Sequence, residues 1–507
     1  MKAESIDKAY CLTAFSVVVN MMAWRFVGVF VFSAVSFAAL LLGAEEPSRP
    51  NVVIILCDDL GYGDVHCFNP ERSRAFTPSC DQLAMQGMVF TDAHSGSSVC
   101  TPTRYGLLTG RYAWRTRLQR GVLDNYVEPL IDQKRLTLGG LHQQQGYTTA
   151  CIGKWHLGFT VDVPVPIKEK GALTGSKSQN KFAGAPLGAR TLDGPLTRGF
   201  DNFAGFHHAR MMESYFESDR VTRLVEPVDV LPLLARQAVA FLEDHETESR
   251  PYFLYLPLSA PHSPVLPSKV WKGKSGLGDY ADFVMQTDAV VGEIVAAIDR
   301  TGQSDNTLVI VTSDNGCTPG VTKELETAGH FPSADLRGYK SDIWEGGHRV
   351  PFIVRWPAKV SAGSRSNSVI CLTDIMATCA DITVTALPDD AAEDSFSFLP
   401  DLMKTGTTRR TSIVHHSMQG QFAIRQGTFK LCMGSGSGGW SPGRESSASV
   451  QLYDLSNDNG ERSNLQASHP AVVGQLTREL EQLVDQGRST PGPRQRNDIA
   501  ISLGNNR

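Results

Sequence analysis

The 507-residue chain holds ten cysteines, but none lies in a Cys-x-x-Cys pair or in a Cys/His spacing that suits zinc. Zinc fingers and thioredoxin-like redox motifs are therefore excluded. Net charge is also scarce: the formal value is −5, and no basic stripe runs along any segment, which argues against a nucleic-acid partner. No segment repeats, so the chain does not read as a solenoid or a repeat array.

Long apolar runs are equally rare. One follows Arg25, from Phe26 to Leu42, broken only by Gly28, Ser33 and Ser36. Gly43, Ala44 and the acidic pair Glu45-Glu46 come next. A basic residue, an apolar stretch and small residues before a polar segment read as a secretory signal peptide over 1–44, with the true start at Met21 or Met22 giving a compact leader. The alternative is a retained membrane anchor, because the run approaches spanning length. Cleavage leaves no stable membrane span and implies a secreted or periplasmic protein. After export, some of Cys67, Cys80, Cys151, Cys317, Cys371, Cys379 and Cys432 could pair, whereas Cys57 sits in an apolar run as a buried thiol.

Beyond the leader the chain alternates strands and helices. Asn51 to Cys57 is a continuous β-branched run, as in a strand buried on both faces, and it stops at Asp58-Asp59. Thr307 to Thr312 stops at Ser313-Asp314-Asn315-Gly316, and Tyr252 to Leu256 leads into Ala260-Pro261-His262. Helical spacing appears over Ser79–Gln86, Leu136–Gln145, Leu231–His245 and Tyr280–Arg300. The expected fold is α/β: a large, mixed, mostly parallel sheet sandwiched by helices, over residues 45–385. A smaller C-terminal α+β domain, 386–488, is expected from the short strands Ser412–His415, Phe422–Arg425 and Phe429–Leu431 and a helix over Pro470–Gln486. Val161 to Arg190 reads as a long surface insertion, and 489–507 as a disordered tail.

Three apolar strands thus end in polar residues, and in open α/β sheets sites form beyond the carboxyl ends of strands. Asp58, Asp59, Asp314 and Asn315 form a hard-oxygen donor set without Cys or His, which favours Ca²⁺ or Mg²⁺ over zinc. Alone, such residues also serve turns and helix caps.

The segment Ser97-Ser-Val-Cys100-Thr-Pro-Thr-Arg104, followed by Leu107-Leu-Thr-Gly-Arg111, resembles the modification site of type I, formylglycine-dependent sulfatases, within the broader alkaline-phosphatase-like superfamily. Gly153-Lys154-Trp-His156-Leu-Gly158, Pro261-His262-Ser-Pro264 and Leu336-Arg-Gly-Tyr-Lys340, continuing through Trp344-Glu-Gly-Gly347 to Arg349-Val-Pro351, are similar to further blocks of that family, as is Leu452-Tyr-Asp-Leu455 with Glu461 and Asn464-Leu465.

The resemblance implies that a formylglycine-generating enzyme converts Cys100 to formylglycine. A gem-diol hydroxyl then attacks sulfur to give a sulfo-enzyme hemiacetal. A thiolate would form an adduct with no internal means of release, whereas the second hydroxyl of the diol expels sulfate. It also implies that an oxygen of the converted Cys100 completes the metal shell, that Arg104 holds the diol, and that Lys154, His262 and Lys340 grip sulfate oxygens. His262 or Lys340 would protonate the leaving alcohol and His156 would take the proton that releases sulfate. The expected substrate is a sulfate monoester of an aryl or carbohydrate alcohol, with sulfated polysaccharides included. Asn315 stands where two-zinc phosphatases, diesterases and phosphonate hydrolases of the superfamily carry histidine, and so speaks against a phosphodiesterase or phosphonate monoester hydrolase. A non-catalytic sulfoglycan-binding relative is the third reading. His207 or His208 is expected to touch the organic part of the substrate; His348, His415 and His416 have no assigned role.

Overall fold

The computed structural model describes residues 49–163, 184–443 and 448–503. The expected leader and most of the 161–190 insertion lie outside the described residues. Among those described, no helix is long and apolar enough to cross a membrane.

Sixteen strands are described: β1 (Asn51–Asp58), β2 (Met88–Phe90), β3 (Ala93–His94), β4 (Thr148–Lys154), β5 (Asn202–Phe206), β6 (Ser214–Glu217), β7 (Arg220–Leu224), β8 (Tyr252–Pro261), β9 (Thr307–Ser313), β10 (Phe352–Arg355), β11 (Ser364–Ser366), β12 (Ile370–Cys371), β13 (Ser412–His416), β14 (Phe422–Gln426), β15 (Phe429–Cys432) and β16 (Gln451–Asp454). Ten of them form one sheet in the order β11-β2-β10-β9-β1-β8-β4-β5-β6-β7. Its centre, β9-β1-β8-β4-β5, is parallel; β10 joins β9 antiparallel on one side, β6 joins β5 antiparallel on the other, and β7 is antiparallel to β6. This is the expected mixed, mostly parallel sheet.

β1 shows why the strand reads as continuously apolar. Val53, Ile55 and Cys57 enter one core with the helices Pro78–Gln86, Pro227–Asp244 and Asp279–Arg300. Val52, Ile54 and Leu56 enter a second core with the helices Cys100–Thr109, Leu138–Gln144 and Asp374–Ile382. Both faces are covered, so alternation disappears. The nine described cysteines are all free thiols and eight are buried, so none of the anticipated pairs forms.

The second sheet is antiparallel, β13-β14-β15-β16. One face meets the helix Pro470–Gln486 through Leu476, Leu480 and Leu483, alongside Tyr112 and Trp114. The other face, with Ala423, Cys432 and Tyr453, packs on Ile343 and Trp344. From Pro50 onward the chain forms one compact unit, so this sheet is built into the body that carries β1.

The tail departs from expectation. Up to Leu503 it is held in place rather than disordered. Ser489 Oγ donates to Asp394 Oδ1 at 2.6 Å, Asp498 accepts from Arg111 at 3.0 Å, and Ile501 and Leu503 pack against the Leu480 cluster. Arg111 and Arg115 are fully buried guanidiniums, and the tail supplies acceptors that burial makes necessary.

Candidate active site

The carboxyl ends of β1, β9, β4 and β8 bring Asp58, Asp314, Lys154 and His262 into one buried cluster. Cys100 enters from the side as the first residue of a ten-residue helix, with Arg104 one turn below it. Cys100 thus sits at the positive dipole end of that helix, a position that suits an anion. Gly110 ends the helix at φ 65°, a conformation glycine adopts without strain, and Arg111 then turns inward to Glu393 at 3.2 Å. The Leu-Thr-Gly-Arg motif is thus a helix stop plus a buried anchor.

The charged groups interlock. Arg104 donates from Nη2 and Nε to Asp314 Oδ2 at 2.7 and 3.1 Å, and from Nη1 to the Lys154 carbonyl at 3.0 Å. Lys154 Nζ lies 2.6 Å from Asp58 Oδ2, and Lys340 Nζ 2.7 Å from Asp59 Oδ1. His262 Nε2 lies 3.8 Å from Asp59 Oδ2, and its Nδ1 donates to the Ser263 carbonyl at 2.5 Å. All of these side chains are buried. Asp59 (φ 67°) and His156 (φ 55°) occupy the left-handed region that non-glycine residues rarely adopt.

Burial would raise the Asp58 carboxyl, but Lys154, with His262 and Arg104, holds it well below the usual range. Asp314 is pushed up by burial and by Asp58, against the pull of Arg104. Three carboxylates, Asp58, Asp59 and Asp314, thus crowd together against Lys154, Lys340 and Arg104. Asn315 adds a donor: its Nδ2 donates to Asp59 Oδ1 at 2.8 Å, while its Oδ1 is buried without a partner. Oxygen atoms of Asp58 and Asp59, the Cys100 sulfur and a His262 nitrogen all lie within 4.8 Å of one another. An orphaned amide oxygen among mutually repelling carboxylates fits a hard divalent cation.

The Cys100 Sγ lies 3.6 Å from Asp58 Oδ1, and burial together with Asp314 pushes the thiol up to about 12. It is a poor thiolate nucleophile. The histidines are neutral at rest. Burial and Lys340 bring His262 down to about 4, and burial and His208 hold His156 well below the ordinary value. The cations of the site are thus Lys154 and Lys340, with Arg104 beneath them. His156 donates from Nε2 to the Leu123 carbonyl at 2.8 Å, leaving a buried, unpartnered Nδ1 lone pair.

The two candidate specificity histidines separate. His207 is enclosed by Tyr126 and Phe159, at ring distances of 5.5 and 5.2 Å. His208 faces His156 and His262, at 4.4 and 6.3 Å.

A buried network behind Cys100 was not anticipated. Arg425 binds Asp92 through two 2.8 Å contacts, Asp92 accepts from His94 at 2.7 Å, and His94 meets His348 at 3.2 Å. His348 stacks on His415 at 3.6 Å, and His415 donates to the Ser95 carbonyl. Lys430 bridges Glu345 and Glu461 at 3.0 and 2.8 Å. Ser98 N donates to His416 O, and Ser341 N to Ser98 O, so the loop entering Cys100 is tied both to β13 and to the residue after Lys340. His348 and His415 thereby acquire a supporting role. Lys430→Met should cost about 3–5 kcal/mol in urea unfolding, because two buried carboxylates lose their counter-ion; a loss below 1 kcal/mol would contradict this reading.

Comparison with known proteins places the chain in a family. The Sulfatase family profile matches residues 50–385. The chain is 32% identical to the N-acetylgalactosamine-6-O-sulfatase of Bacteroides thetaiotaomicron, over 86% of this chain and 93% of that protein. It is 31% identical to human arylsulfatase A, over 88% and 89%. A solved structure described with the metabolism of multiple glycosaminoglycans by Bacteroides thetaiotaomicron superposes with a TM-score of 0.74 at 29% identity, covering 86% of this chain and 99% of its own. The chain belongs to the sulfatase family and is a sulfuric ester hydrolase.

Proposed function

We propose that this sulfatase releases inorganic sulfate from a sulfated carbohydrate, using formylglycine made from Cys100 and one divalent cation, Ca²⁺ or Mg²⁺. The observation that carries the reading is the place of Cys100: a buried thiol at a helix N-terminus, 3.6 Å from Asp58, with its pKa pushed up by burial and Asp314. As a thiol it is inert, and as a precursor it is in place.

Asp58, Asp59, Asp314, Asn315 and an oxygen at position 100 would hold the cation, which supplies charge stabilisation to the sulfate oxygens and the nucleophile. The hydrated aldehyde supplies one hydroxyl for attack and a second for release. The other steps belong to the chain's own side chains. Arg104 fixes Asp314 and stabilises negative charge below the nucleophile. Lys154 and Lys340, which pair with Asp58 and Asp59, would be free to grip the sulfate oxygens where those carboxylates hold a cation. His262, oriented by Ser263, takes up a proton beside the anionic substrate and passes it from Nε2 to the leaving alcohol. His156 accepts the proton of the release step at Nδ1.

Asn315 in place of histidine supports one oxygen-ligated ion rather than paired zinc. The galactosaminide specificity named for the Bacteroides relative supports a sugar substrate. Cys100, Pro102 and Arg104 form the recognition sequence for a formylglycine-generating enzyme, and the leader directs export to the periplasm or medium. The test is turnover of a panel of monosulfated sugars, including N-acetylgalactosamine 6-sulfate, beside an aryl sulfate and a phosphodiester. Release of sulfate from at least one sugar at kcat/KM above that of the aryl ester is expected. Turnover of the phosphodiester alone would overturn the reading.

A further inference from the structure

Trp440 stands out among the large apolar side chains. It lies in a stretch of glycine and serine from Gly434 to Ser441, and its side chain is 50% exposed. The loop is nevertheless fixed. The Trp440 N–H donates to Ser341 Oγ at 2.8 Å, and Ser441 N donates to Asp342 Oδ1 at 3.1 Å, while the Ser441 hydroxyl donates to the same carboxylate. Gln419 binds the Gly439 carbonyl at 3.0 Å. The approach is so close that a Cβ on Gly439 would sit 2.4 Å from the Ser341 backbone, so only glycine fits. Ser341 and Asp342 directly follow Lys340, and the Lys340 Nζ lies 5.9 Å from the centre of the indole ring.

The chain thus spends several hydrogen bonds on holding a half-exposed indole beside an ammonium group of the sulfate site. Burial does not account for this, because half of the ring is left in water. A flat apolar face with a polar edge suits the C–H face of a pyranose, whose hydroxyls point outward around its rim. A sulfate gripped by Lys340 brings the sugar that bears it, or the next sugar along, within reach of that face.

We propose that Trp440 is a specificity-determining residue that packs against the apolar face of a sugar ring of the substrate. The inference rests on the sulfated-carbohydrate reading above and names a surface that recognises the sugar. Trp440→Ala and Trp440→Phe should be compared with the wild type on the panel sugar that the wild type turns over fastest. Inorganic sulfate serves as the competitive inhibitor and thermal melting as the folding control.

Alanine should lower kcat/KM about tenfold, with the loss carried by KM, and phenylalanine should restore most of it. The inhibition constant for inorganic sulfate should stay within about twofold, because the free ion has no ring to stack. An unchanged KM in the alanine variant would overturn the proposal. A parallel rise in the sulfate inhibition constant would also overturn it, since Trp440 would then be acting on Lys340. A wild type that hydrolyses no sulfated sugar would instead overturn the parent reading.

Discussion

Replacing Cys100 with alanine is expected to lower kcat/KM on every sulfate ester by on the order of 10⁴-fold or more, while thermal stability changes little. The side chain makes one long contact, 3.6 Å from Asp58, and contributes little packing beyond a small buried group. Its loss leaves the Arg104–Asp314 and Lys154–Asp58 pairs intact. Substrate can still bind, so the defect should fall on kcat. Steady-state kinetics beside a melting curve measure both quantities. A variant retaining a tenth of wild-type turnover would remove position 100 from the chemistry.

Removal of the divalent cation should be almost as damaging. Dialysis against a chelator is expected to reduce turnover by at least about 10³-fold, with recovery on addition of Ca²⁺ or Mg²⁺. Lys154 and Lys340 pair with Asp58 and Asp59, and the buried Asn315 Oδ1 has no side-chain or backbone donor among the described residues. Asp58→Asn should mimic chelation and resist rescue, because it removes a ligand and the partner of Lys154 together. The ion should also raise the melting temperature, by about 2.7 kcal/mol of added stability at a hundredfold excess over Kd. Full activity in chelated, metal-free protein would contradict this, and two bound zinc ions would favour the phosphodiesterase alternative.

Much of the site was legible because its residues sit at strand ends that follow unmistakable apolar runs. β1, β8 and β9 were marked by β-branched and aromatic stretches, and the helix Pro470–Gln486 by its apolar spacing. What stayed hidden was long-range or electrostatic. The tail is held by Arg111, 387 positions from Asp498, and nothing local signals that pairing. The network from Asp92 to Arg425 joins groups 333 residues apart. His207 and His208 are neighbours in sequence, and only the end of β5 decides which of them is sealed among aromatics and which faces His156 and His262. The neutral state of His156 and His262 follows from burial among cations, which spacing does not encode.

The central claim is that Cys100 is a precursor rather than a nucleophile in its own right. Mass spectrometry of the peptide containing Cys100, taken from active protein produced in its native host, tests it most directly. The account predicts the small mass loss of thiol-to-aldehyde conversion at that residue. An unmodified, alkylatable thiol in fully active protein would contradict it.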